Sequence, residues 1–144
     1  MSAYVALLRA VNVGGTGKLP MGGLAAMCAA EGFAGVRTCI ASGNVVFASG
    51  RGGAEVEAAL ERRLAAYAAK PVGVFVRTAG EMAAVLAANP FPDGAPNRTP
   101  VTFLDDPPPA GAPAGVRHQT GARIALGARN MSTVAKLARM AGAL

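Results

Sequence analysis

An α+β fold is what this sequence predicts, and three observations predict it. Residues 3–11 are apolar on both alternating sets except at Arg9, the pattern of a strand buried on both faces. Val56, Leu60, Leu64 and Tyr67 recur at helical spacing after the turn-forming run Arg51-Gly52-Gly53. Between them, residues 36–47 switch to period two, with Gly43-Asn44 placed for a tight hairpin. A chain of 144 residues supports one packed unit, or two half-sized ones sharing a core. At that size about two thirds of the unfolded surface is buried, so no staple is needed.

The elements follow in order. The first strand is succeeded by a glycine-rich stretch over residues 12–18, and Pro20 then opens a helix carrying Leu24, Met27 and Cys28 on one side. Gly32 is placed as the left-handed residue that stops this helix, with Phe33 folding back on its last turn. Val36, Thr38 and Ile40 share one strand face, and Val45, Val46 and Phe47 form the returning strand. The next helix has Glu55 and Glu57 near its positive end, and a strand over 72–76 succeeds it. Strand, helix, strand, strand, helix, strand is the ferredoxin-like βαββαβ order, here spanning residues 4–77.

Residues 78–144 predict an incomplete second ferredoxin-like half. Thr78 and Glu81 have capping-box spacing ahead of Met82, Val85 and Leu86. Asn89-Pro90-Phe91-Pro92 ends that helix, and residues 101–104 form a short strand. Segment 105–122 is rich in Pro, Gly and Ala and reads as linker or exposed loop, with a brief strand at 123–126. A closing C-terminal helix carries Val134, Leu137 and Met140, capped by Asn130 or Ser132. With a helix and a strand missing, the strand at 101–104 is left with an unpaired edge and an uncovered apolar face. Such a surface predicts self-association, most simply as a homodimer, the competing outcome being a monomer in which the Pro-rich segment folds over the gap.

Composition narrows the chemistry. Hydrophobic residues make up 52%, aromatics 5%, and Trp is absent, so the core is aliphatic. The Arg and Ala usage reads as genomic composition. Even so, a formal charge of +6 favours anionic partners. From Pro107 to Leu144 there is no carboxylate, while Arg117, Arg123, Arg129, Lys136 and Arg139 are basic. No aromatic residues interleave these charges, which argues against stacking of single-stranded nucleic acid. Two cysteines, Cys28 and Cys39, and one histidine, His118, form neither a disulfide framework nor a metal motif, so no metal or cofactor is expected. The N-terminus lacks a basic start, Arg9 interrupts its apolar run, and no segment suits a membrane span. The expectation is a cytoplasmic protein.

The most suggestive stretch is Asn12-Val13-Gly14-Gly15-Thr16-Gly17-Lys18. Glycines let backbone N–H groups converge, a lysine adds charge, and a helix N-terminus lies just beyond, the components of an anion site. Asn12-Val13 and Leu19 break the nucleoside-triphosphate loop pattern, which requires Ser or Thr after the lysine. The competing reading is a loop whose glycines serve only its turns. Arg9 is the odder residue, because a charge within an apolar strand is costly unless paired. Either it binds backbone carbonyls or a Glu, or it reaches the same pocket as Lys18. Ser42 lacks a nucleophile's surroundings, and Asp105-Asp106 reads as a solvated strand end.

A family likeness rests on several segments in order. Residues 8–15 (Leu-Arg-Ala-Val-Asn-Val-Gly-Gly), Arg37-Thr38 followed by Ser42-Gly43-Asn44-Val45-Val46-Phe47, and Asn89-Pro90-Phe91 resemble the bacterial domain of unknown function 1697 family. Residues 128–137, from Ala128-Arg129-Asn130 to Lys136-Leu137, resemble its closing element, with Met131 standing where the family has an aromatic. The resemblance implies two ferredoxin-like halves, the second shortened here between Leu104 and Arg129, and implies nothing about activity. Three readings therefore stand. The chain is a phosphate- or nucleic-acid-binding module using Arg9, Asn12, Gly14, Gly15, Lys18, Arg129 and Asn130. Alternatively it is an enzyme on a phosphate-containing small molecule, or an interaction protein without ligand. The first reading expects Arg9, Asn12 and Lys18 close to Arg129 and Asn130.

Overall fold

The computed structural model describes residues 1–9, 18–39, 43–104, 106, 110 and 127–144. The expectations for residues 10–17, for Ile40 and Ser42, for Asp105, and for 111–126 with its brief strand and His118 lie outside them. Strand β1 (Ser2–Leu8) leads to helix α1 (Met21–Ala30), the pair β2 (Ala34–Cys39) and β3 (Asn44–Ser49), α2 (Gly53–Ala68) and β4 (Val74–Thr78). Then come α3 (Ala79–Ala87), a 3₁₀ turn at Pro96–Arg98, β5 (Pro100–Phe103), β6 (Gly127–Asn130) and α4 (Met131–Gly142). Strands β1 to β4 form one antiparallel sheet in the order β2-β3-β1-β4, and β5 pairs with β6.

The apolar pattern of β1 has a direct cause, since both faces of its sheet are covered. Tyr4, Ala6 and Leu8 point to one side, where they meet Leu24 and Cys28 of α1 and Val56, Leu60 and Leu64 of α2. Phe33 and Phe47 stack within this layer, with centroids 4.4 Å apart and planes 9° from parallel. Val5 and Leu7 point to the other side, against Met82 of α3, Phe103 of β5, and Met131, Val134 and Leu137 of α4. The second half of the chain thus closes the open face of the first half's sheet.

Local chemistry explains where the elements stop. Gly32 takes φ +81°, and the amides of Gly32 and Phe33 donate to the carbonyls of Ala29 (2.9 Å) and Cys28 (3.1 Å), ending α1 as its sequence suggests. Thr78 Oγ1 accepts from the Glu81 amide (3.1 Å), and the Glu81 carboxylate accepts from the Thr78 amide (2.7 Å), so the predicted capping box is formed. Asn130, rather than Ser132, caps α4 through the Thr133 amide at 2.9 Å. Beyond α1, Glu31 is held by Arg51 (3.0 Å) and Arg63 (2.5 Å), and the Arg51 guanidinium lies over the Phe33 ring.

Three expectations are corrected. Tyr67 does not join the apolar face of its helix: it is 54% exposed, and its hydroxyl turns outward to the Lys18 carbonyl (3.4 Å). Asn44 is not a turn residue. It is the first residue of β3, paired with Cys39, and its amide is fully buried because the Cys39 carbonyl accepts from it at 3.0 Å. Strand β5 is not left with an open face. It pairs with β6 along one edge, from Pro100↔Asn130 to Phe103↔Gly127, and Phe103 is buried in the second layer, so the uncovered apolar face is not found, while the other edge of β5 has no strand partner among the described residues.

Two predictions follow from local geometry. Gly35 sits at the register shift of β2 with φ +61°, and a Cβ there would come within 2.7 Å of Leu144 Cδ2. The Leu144 side chain can move aside, but the backbone strain remains. Gly35→Ala should cost about 1–2 kcal/mol, seen as a lower urea midpoint at unchanged slope. Hydrogen bonds first from Arg63 and then from Arg51 lower the Glu31 pKa below its ordinary value. A lowered folded-state pKa means stability that is present above the unfolded value and lost as pH falls through the folded one. Both arginines are partly exposed, so screening limits the effect: Glu31→Gln should cost about 1 kcal/mol at neutral pH. Denaturation measured from pH 7 to pH 3 should show this difference shrinking below about pH 4.

Candidate anion-binding site

The end of the sheet from which the glycine-rich stretch departs is built from β1, β2, β3, β4 and β6. In register, Leu7 of β1 lies between Asn44 of β3 and Phe75 of β4, on the face covered by α3 and α4. Arg9 is two residues further along and points to that same face. Its guanidinium lies 5.2 Å from the centre of the Phe75 ring, and its amide donates to the Gly73 carbonyl at 2.8 Å. A Cβ on Gly73 would meet the Arg9 side chain at 3.6–3.7 Å, so the arginine stem lies along the start of β4. The Arg9 Nε is buried and has no hydrogen-bond partner among the described residues.

Arg129 arrives at the same end from β6, where it pairs with Val101. Its Nε donates to Asn44 Oδ1 at 2.6 Å and its Nη2 to the Leu8 carbonyl at 2.9 Å. Burial lowers the pKa of this guanidinium, although it remains a cation at neutral pH. Asn130 lies next to it, with its side-chain oxygen engaged in capping α4.

Lys18 lies on the other side of the sheet's end. It is exposed, its carbonyl accepts from Tyr67 of α2, and the next residue, Leu19, is buried in the layer of α1 and α2. Pro20 precedes the helix without a side-chain cap, the first turn has no acid, and Cβ atoms on Gly22 or Gly23 would meet nothing within 4 Å. The structure therefore brings Arg9 and Arg129 to one end of one face and places Lys18 beside α2. Asn12, Gly14 and Gly15 fall outside the described residues.

Sequence reasoning missed two contributors, Asn44 and Phe75. A polar residue opening the apolar run 44–47 was the available signal for Asn44. Nothing in the sequence distinguishes Phe75 from its apolar neighbours. Catalytic chemistry finds little here. Burial, and secondarily Glu31, push the Cys28 thiol up to about 12, which leaves it protonated and inert. Among the described residues no group of three or more His, Cys, Asp or Glu side chains could hold a metal ion, and no helix is long and apolar enough to cross a membrane.

An α+β protein whose sheet is closed on both faces, with an arginine-rich polar end, is the class that these features define. The chain belongs to the DUF1697 family, described as proteins of unknown function, with the match spanning residues 1–140. It is also similar to a solved structure described as a conserved bacterial protein from Streptococcus pneumoniae. The two share 18% identity and a TM-score of 0.79, over 96% of this chain and 98% of the other, which establishes a common fold. No curated protein matches the sequence.

The polar end carries its own test of stability. Asn44→Ala would leave the Arg129 Nε and the Cys39 carbonyl without their present partner in buried surroundings. It should cost about 2 kcal/mol in chemical denaturation, more than an exposed asparagine would.

Proposed function

We propose that this end of the sheet binds an anion, and that the protein is a binding module for a phosphate-bearing ligand. The observation that carries the reading is Arg9. Its guanidinium lies over Phe75, its buried Nε has no hydrogen-bond partner among the described residues, and it stands where the chain enters the glycine-rich stretch. An unsatisfied buried donor on a cation calls for an explanation, and a bound anion supplies one. Lys18 and the uncapped N-terminus of α1 add positive potential across the same end of the sheet.

The same reading treats the first half as a ferredoxin-like unit, supported by the strand order β2-β3-β1-β4 with α1 and α2 on one face. The second half is then an incomplete copy that covers the other face. A cytoplasmic location fits two free, buried thiols. Enzymatic use of the site has no acid–base pair among the described residues at the polar end to support it.

Thermal shift with inorganic phosphate, a mononucleotide and a short oligonucleotide tests the proposal, because a ligand that binds only the folded state raises the midpoint. Arg9→Ala should weaken binding of the effective probe about tenfold or more, as expected for loss of a charge-assisted hydrogen bond. Lys18→Ala should weaken it less. If none of the probes shifts the parent protein, or if Arg9→Ala binds as the parent does, the site has been misread.

A further inference from the structure

We infer that Arg129 is a positioning residue, which fastens the stem of the glycine-rich stretch to the C-terminal segment rather than contacting the anion itself. The consequence for binding rests on the anion-site reading above, whereas the fastening rests on geometry alone. Leu8 is the last residue of β1, and its carbonyl accepts from Arg129 Nη2. Asn44 accepts from Arg129 Nε and donates onward to the Cys39 carbonyl. Two side chains thus tie together the ends of β1, β2 and β3 with β6, across a sequence separation of 121 residues in the Leu8 contact.

The guanidinium geometry separates this role from that of a ligand. Nε and Nη2 form the edge of the planar fork that grips a carboxylate or phosphate side-on. In Arg129 that edge is already committed to Asn44 and Leu8. In Arg9 the Nε is the atom without a hydrogen-bond partner among the described residues. The two arginines at this end of the sheet therefore divide the work, Arg9 meeting the ligand and Arg129 fixing where the strand ends lie. Arg129 is itself well held, by pairing with Val101 on one side and by the Asn130 cap of α4 on the other. Docking of the C-terminal segment then sets the position of the loop stem.

Amide hydrogen exchange on the full chain without ligand tests the fastening directly. In Arg129→Ala and Arg129→Lys, the Leu8 and Arg9 amides, which donate to Gly43 and Gly73, should exchange at least tenfold faster, with Phe47 unchanged. Lysine keeps the charge but lacks the fork, so it should not rescue. Unchanged protection at Leu8 and Arg9 would overturn the proposal whatever the protein binds. With inorganic phosphate as the probe, Arg129→Ala and Asn44→Ala should each lower affinity several-fold, the double variant no further than either single one. Additive losses, or rescue of affinity by Arg129→Lys, would make Arg129 a ligand residue and sink the inference while leaving the anion site standing. A parent that binds no phosphate, nucleotide or oligonucleotide refutes the anion site instead, and the exchange result still decides the fastening.

Discussion

The rest of the structure depends on one constraint: β1 is a central strand whose side chains from Tyr4 to Leu8 are withdrawn from water on both faces. From Val5 to Leu7 nothing is exposed, and Tyr4 and Leu8 are nearly as buried. A strand of that kind requires a layer on each face of the sheet, because uncovered apolar surface opposes folding at roughly 25 cal/mol per Å². Helices α1 and α2 supply one layer directly from the first half. The chain must then cross to the other face, and it does so without a spacer. Thr78 ends β4 and is also the cap of α3, so the capping box makes the crossing itself.

Where the layers end, polar groups take over, and they do so differently on the two faces. Against α1 and α2, Glu31 is held between Arg51 and Arg63, whose side chains remain 39% exposed. Screening keeps such a cluster to a modest contribution. At the sheet end facing α3 and α4, Asn44 and Leu8 of the clasp are buried and Arg129 is half-buried, and its hydrogen bonds are correspondingly costly to leave unmade. The second face therefore depends more strongly on correct placement of the C-terminal segment than the first face depends on its ion pairs.

Much of the fold was legible because local chemistry and global packing agree. The glycine stop of α1, the capping box at Thr78 and the Asn130 cap are short-range signals with one physical solution each. Tyr67 misled because helical spacing says nothing of where a helix leaves the core, and its hydroxyl had a carbonyl to reach outside. Asn44 misled because Gly-Asn is a common turn pair. Its side chain instead donates to the Cys39 carbonyl and accepts from Arg129, a partner 85 residues away that no local pattern encodes. For the same reason Arg9 could be recognised as anomalous from sequence, while the ring beneath it could not be named.

The resemblance motifs can now be divided by what their side chains do. Asn44 and Arg129 form the clasp, Asn130 caps a helix, and Asn89 accepts from the Phe91 amide in the turn that ends α3. Each satisfies a nearby backbone or buried group, so a shared motif residue is not on that account a ligand residue. Arg9 differs in kind. Its position over Phe75 offsets part of the cost of withdrawing a cation from water, by about 0.5–2 kcal/mol for contacts of this type. An unbonded Nε forgoes a comparable amount. The stacking thus supports the arginine without completing it, and the residue stands ready for a partner that the described part of the chain does not supply.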